Sequence, residues 1–250
     1  MHSFFIALQF LTRLNIVRQT VWTTEDFGRS VRWFPAVGFV IGVILVGFYY
    51  LLSQVLPLGV TAALIVIFEF LLTGGIHADG LMDTSDGLFS GRDRERKLEI
   101  MKDSRVGANG VVAFVFVVLM KWQLLTVIPA SMMPFLLFAM PALSRYGLTL
   151  SIACFPYAKP DGIGKAFTLY TSNGMLFFST LFALLPCLYW GGQYATAAGL
   201  SVFINFVLNG YCTKHLGGVT GDTFGFVTEL TEVFLLLAFA MIIGAERMLF

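Results

Sequence analysis

Residues 58–91 read LGVTAALIVIFEFLLTGGIHADGLMDTSDGLFSG: an apolar run, two glycines, then His77, Asp79, Asp83 and Asp86 among further glycines. The first half can enter a hydrocarbon core and the second half cannot. Where the chain puts that change of character decides its fold, and the composition around it supplies the setting. Only 12% of the 250 residues are charged, 57% are hydrophobic and 26 are Phe, with a mean hydropathy of +0.81. Soluble domains carry roughly 25% charged residues. The chain therefore reads as an all-α integral membrane protein, one polytopic domain over 1–250. A formal net charge of +1, with no dominant basic cluster, excludes a nucleic-acid binder.

Working outward, seven stretches pass as transmembrane helices: 33–56, 58–75, 106–128, 134–155, 174–190, 194–212 and 232–249. Connections 13–32, 76–105, 156–173 and 213–231 hold four, six, two and one Lys or Arg, while the other three are essentially uncharged. The positive-inside rule places the N-terminus and these charged loops in the cytoplasm and the C-terminus outside, with Arg247 the one dissonant charge. The acidic and glycine-rich stretches then reach one membrane face, where a single site can draw on both. No internal repeat of the inverted transporter kind is visible. MHSFFIALQFLTRL lacks a basic leader and a small-residue cleavage site, so it does not read as a signal peptide. Phe4, Phe5, Leu8 and Leu11 recur at helical spacing and predict a short N-terminal interfacial helix. Cys154, Cys187 and Cys212 lack CxxC spacing and read as inert packing thiols.

If LMDTSDGL is helical, Asp79, Asp83 and Asp86 stand at i, i+4 and i+7, within an arc of about 60°. Like charges on one face disfavour one another unless a cation neutralises them, so the spacing points to a bound divalent metal. Mg²⁺ suits hard oxygen ligands and shares its shell with water and phosphate, whereas Zn²⁺ asks for more His or Cys than His77 supplies. Gly74, Gly75, Gly80 and Gly87 would let backbone approach a bulky ligand. The bland alternative is a solvated loop with capping aspartates. RDRERKLEIMKD, after it, reads as an exposed, salt-bridged helix. Asp103, Ser104 and Arg105 end that helix at the mouth of the next span and are candidates for the site.

A second constellation, KHLGGVTGDTFGFVTEL over 214–230, sets Thr220 and Asp222 among four glycines. Gly217, Gly218, Thr220 and Gly221 suit a turn whose N–H groups hold phosphate oxygens, with Lys214 as a nearby charge. Asp222 and Glu229, seven apart, share a helix face if the segment after Gly221 is helical, and could complete a metal shell. A re-entrant loop is the alternative. Within the spans lie Glu69, Lys121 and Arg145, and intramembrane charges mark a site or pair with one another. Arg145 has the fork that recognises phosphate, and the competing reading is a structural pair of Glu69 with Arg145 or Lys121. Trp33, Trp122 and Trp190 read as interface anchors or packing.

Taken together, LQFLTRLN, HADGLMDTSDG, LEIMKDSRVG and LGGVTGD with a following Glu resemble the cobalamin synthase family, adenosylcobinamide-GDP ribazoletransferases, nearly end to end and in order. Ala78, Met82 and Asn15 depart from the usual pattern but lie between the chemical positions. The resemblance implies a Mg²⁺-dependent transferase of the bacterial cytoplasmic (inner) membrane. It would join adenosylcobinamide-GDP to alpha-ribazole or its 5′-phosphate and release GMP, in contact with membrane lipid and with other enzymes of the cobamide pathway.

On that reading Asp79, Asp83 and Asp86, with Asp222 or Asp103 adding ligands, hold the metal. Arg145, Lys121, Lys214, Arg105, Glu229 and the 217–221 turn hold substrate, and a free carboxylate or His77 accepts the proton of the attacking hydroxyl. Two other classes remain open. A CDP-alcohol phosphatidyltransferase shares the Asp83, Asp86, Gly87 start of its motif, but Phe89 and Ser90 replace the expected Ala-Arg and the later acids are missing. A cation- or proton-coupled transporter would want its acids near the bilayer midplane.

Overall fold

The structure is a computed structural model and describes residues 2–18, 23–159 and 163–249, without the side chains of 163 and 246–249; Arg247 lies outside the described side chains. The described residues form α1 (His2–Leu11), α2 (Thr24–Ser30), α3 (Phe34–Ser53), α4 (Leu58–Thr73), α5 (Ile76–Leu88) and α6 (Arg94–Ile100). The second half continues with α7 (Ala108–Val127), α8 (Met133–Cys154), α9 (Ile163–Tyr170), α10 (Asn173–Leu184), α11 (Cys187–Leu216) and α12 (Gly221–Leu249). No strand occurs among them, and one isolated parallel bridge joins Tyr157 to Val219. The all-helical expectation holds.

The count of seven spans does not. Among the described residues, five helical stretches are long and apolar enough to cross a membrane: Thr24–Ser53, Ala108–Val127, Met133–Cys154, Cys187–Leu216 and Gly221–Ala245. The expected span 174–190 becomes α10, twelve residues and too short, after which the chain re-enters as α11. The expected span 58–75 becomes α4, sixteen residues, joined to α5 by a 92° bend; counted together they make a sixth, broken span. Gly74 and Gly75, at φ 67° and 72°, supply the left-handed backbone that such a corner needs. Taken singly, neither half of the pair is among the five spanning helices, and α5 turns away from the axis of α4.

At the centre stands α8, 94% of whose most apolar window is buried. Helix α3 packs closely on it because Gly38 and Gly42 lack side chains: a Cβ at Gly38 would lie 2.4 Å from the Pro141 carbonyl oxygen, and one at Gly42 2.8 Å from that of Phe138. The outer surfaces carry the lipid-like belt that the composition demands, with Leu51, Val112, Phe116, Phe203 and Leu188 exposed on α3, α7 and α11. The N-terminal segment is helical as expected, and buries Ile6, Ala7, Leu8 and Leu11 against the bundle. The tryptophans pack: Trp33 meets Phe178 edge-on, Trp122 donates to the Gly59 carbonyl at 2.8 Å, and Trp190 stacks on Tyr194. Cys154, Cys187 and Cys212 are free thiols.

Candidate active site

Helix α5 carries the acidic stretch, as the i, i+4, i+7 spacing predicts, and it lies against the first turns of α12 and against α7. Two absent side chains make the crossing with α12 possible. A Cβ on Gly80 would stand 2.5 Å from the Asp222 carbonyl oxygen, and one on Gly225 would stand 2.5 Å from that of His77. The glycine expected to admit a ligand at 80 therefore admits a helix. Gly87 does the same for Met101 of the α6 end, 2.5 Å from its would-be Cβ. The outcome is that His77 and Asp79 of α5 share a cavity of ≈ 220 Å³ with Asp222 of α12. Asp79 and Ile76 also line a wider cavity of ≈ 590 Å³ that reaches Thr12 and Arg13 behind α1.

The charges here are in excess. Burial first, then the neighbouring carboxylates Asp79, Asp222 and Asp86, push Asp83 up to about 6. Lys159 opposes them and pairs with Asp222 at 2.7 Å. Its segment is clipped to α12: the Val219 N–H donates to Pro156 and the Ala158 N–H to Val219, both at 2.8 Å. Thr220 and Thr223 cap the helix reciprocally, Thr223 N–H to Thr220 Oγ1 at 3.2 Å and Thr220 N–H to Thr223 Oγ1 at 2.8 Å. Among the described residues, no three His, Cys, Asp or Glu side chains converge as a ready-made metal shell. Mg²⁺ takes one or two protein carboxylates and fills the rest with water and phosphate, so Asp79, Asp83 and Asp222 fit that demand by chemistry and by their mutual repulsion.

The other expected site residues are placed elsewhere. Sharing an arc is not sharing a point, because Asp86 lies seven residues from Asp79, about 10 Å along the axis. Its oxygens accept the N–H groups of Gly107 at 2.7 Å and Gly110 at 2.8 Å, anchoring the start of α7. Asp103 and Arg105 are exposed, pair with each other at 2.7 Å, and line a separate cavity of ≈ 470 Å³. Hydrogen bonds from Arg105 hold Asp103 down to about 2. The glycine turn is occupied from within: Gly217 N–H donates to Thr213, and the N–H groups of Val219 and Thr220 have the partners given above. A phosphate cradle of these donors is not what the fold makes. Lys214 is exposed and Thr220 is buried.

Arg145, Lys121 and Glu229 form one buried ionic cluster with Glu69 and Glu232. Lys121 Nζ binds Glu229 at 2.8 Å, Glu69 at 3.2 Å and Glu232; Arg145 binds Glu232 and lies 3.8 Å from Glu69. Ser144 also donates to Glu232, at 2.7 Å. The reading of a structural pair thus grows into a five-membered network, every member at most 3% exposed. Asp222 and Glu229 do share one face of α12, but two turns apart, so one faces the cavity and the other the bundle. Arg145 also reaches His77, Nη2 to Nδ1 at 3.3 Å, and so touches the site only through that ring.

Residues 3–240 match the family described as cobalamin-5-phosphate synthase. The chain belongs to that family. Among similar proteins, the family member from Desulfitobacterium hafniense (strain Y51), an adenosylcobinamide-GDP ribazoletransferase, is 40% identical over 97% of this chain and 98% of its own. Enzymes of the same name from Acetivibrio thermocellus and Clostridium acetobutylicum are 36% and 37% identical, over 94% and 93% of this chain and 95% and 93% of theirs. No solved structure matches. The resemblance read from the four sequence blocks is borne out. For this family member, reading the sequence missed Glu232, the central acceptor of the ion network, and Lys159, counted only as a loop charge. It also passed over Arg13, which stands inside LQFLTRLN.

Proposed function

We propose that this protein is an adenosylcobinamide-GDP ribazoletransferase that attaches the lower nucleotide in cobamide assembly, acting on the face where α5 meets α12. The observation that carries this reading is the family match over residues 3–240, supported by Asp79 lining both cavities, Asp222 sharing the smaller one with it, and Asp83 carrying a charge that both of them oppose. A ribose hydroxyl of alpha-ribazole, or of its 5′-phosphate, attacks the phosphorus that bears the aminopropanol arm of adenosylcobinamide-GDP. The new O–P bond replaces the pyrophosphate bond, whose electron pair leaves with GMP, and a phosphodiester results.

Mg²⁺ held by one or two of Asp79, Asp83 and Asp222 would supply charge neutralisation at the pyrophosphate when bound. The Arg13 side chain has no hydrogen-bond or ion-pair partner among the described residues, and its exposed guanidinium, lining the same cavity as Asp79, suits a phosphate oxygen. Lys159 offers a second cation at Asp222. The hydroxyl proton passes to a carboxylate of this group that the cation leaves free. The excess of Lys and Arg in the connections supports a cytoplasmic site in a bacterial inner membrane. Contacts with other cobamide-pathway enzymes would account for a membrane-tethered transferase.

The test is GMP release by the purified protein given adenosylcobinamide-GDP and alpha-ribazole 5′-phosphate, with Mg²⁺ and with EDTA. Metal-dependent GMP formation with a matching cobamide product is expected. Folded protein that forms no GMP would overturn the proposal.

A further inference from the structure

The contact between Arg145 and His77 joins the two charge clusters, and its chemistry is one-sided. A guanidinium has five N–H donors and no acceptor, so at the 3.3 Å contact His77 Nδ1 can only accept. An accepting Nδ1 bears no proton, which requires a neutral ring with its proton on Nε2. Nothing lets Arg145 yield on this point, since Glu232 and Ser144 hold the same guanidinium from the other side. Nε2 has no hydrogen-bond partner among the described residues, and His77 lines the ≈ 220 Å³ cavity together with Asp79 and Asp222.

We propose that His77 serves the reaction as a hydrogen-bond donor and not as its base: Arg145 fixes the Nε2–H tautomer, and Nε2–H faces an anionic phosphoryl oxygen of the substrate in the cavity of Asp79 and Asp222. This rests on the transferase reading above. It leaves proton acceptance to a carboxylate, because the nitrogen that faces substrate already carries a proton. Arg145 becomes a positioning residue, acting on substrate only through the tautomer that it sets. A donor fixed beforehand where negative charge develops needs no reorganisation during the reaction, and so contributes more than the same donor in water.

The chain has three histidines, so His2→Gln with His215→Gln leaves His77 as the single ring to observe. Nitrogen-15 NMR of the histidine-labelled protein in bilayers is expected to show an unprotonated Nδ1 and a protonated Nε2 near neutral pH. An Nδ1–H tautomer, or an imidazolium, would overturn the assignment whether or not the protein turns over. In GMP release, His77→Gln puts an amide N–H near the Nε2 position and is expected to stay within about tenfold of wild type, while His77→Ala and His77→Asn lose about a hundredfold or more. Equal losses in Gln and Ala would mean that the ring is needed as a base, and the proposal fails. Wild-type protein that releases no GMP would instead sink the transferase reading, and the tautomer measurement would still stand.

Discussion

Two groups of charges sit within a few helical turns of each other and are built on opposite terms. In the bundle, Lys121 and Arg145 face Glu69, Glu229 and Glu232, each almost fully buried and each held by at least one opposite charge. At the junction of α5 and α12, the Lys159 ammonium pairs with Asp222 and opposes the charge on Asp83, while Asp79 and Asp222 line a cavity. A buried charge must be paired to be tolerated, and in the first group every charge has an opposite charge beside it. Acids left in excess beside open space are tolerable only because water, substrate or a cation completes them. Residue type alone cannot tell the two apart; the balance of partners can.

That contrast can be broken most sharply at Asp79. Asp79→Asn is expected to lower GMP release about a thousandfold, about 4 kcal/mol of transition-state stabilisation, with the thermal midpoint unmoved. Turnover within about threefold of wild type would remove the acid group from the chemistry. Lys121→Met should show the reverse pattern of cause, a loss of about 3 kcal/mol in stability from three carboxylates left with Arg145 alone, seen as a fall of about 10 °C in thermal midpoint. A midpoint unchanged would mean the buried network holds little together.

Gly225→Ala probes the seam between the groups. Its Cβ would press on the His77 carbonyl, and a cost of about 1 to 3 kcal/mol is expected, with activity falling further than stability because α5 and α12 must part. Wild-type activity would show that the crossing tolerates a wider gap. The smallest effect is a gain. Asp83 titrates at about 6 in the fold against 3.8 in the free chain, so its charge opposes folding fully above pH 6 and not at all below its unfolded pKa. In metal-free buffer at about pH 8, Asp83→Asn should raise the thermal midpoint by a few degrees, about 1 kcal/mol after solvent screening, and the gain should shrink as pH falls from 6 toward 4. A gain independent of pH would mean that packing, not charge, is responsible.

Much of this was legible beforehand. Apolar runs announced the helices, and the seven-residue spacing from Asp79 to Asp86 announced a shared face. What periodicity could not supply was position along the axis, which sends Asp86 to α7 and Glu229 to Lys121. Nor could hydropathy foresee the corner at Gly74 and Gly75, because a broken span and a whole one have the same average composition. Gly80 looked like room for a ligand, and only its packing against α12 reveals that another backbone fills the room.

The short bridge between Tyr157 and Val219 has a consequence for ionic strength. Two backbone hydrogen bonds hold the 156–158 segment to the start of α12, so the ammonium of Lys159 is tethered beside Asp222 at a high effective concentration. Dissolved ions compete well with a side chain that wanders on a long loop and poorly with one kept in register. The acid group therefore carries its own resident counter-ion, and the local field at Asp222 stays steady while salt reshapes the rest of the surface.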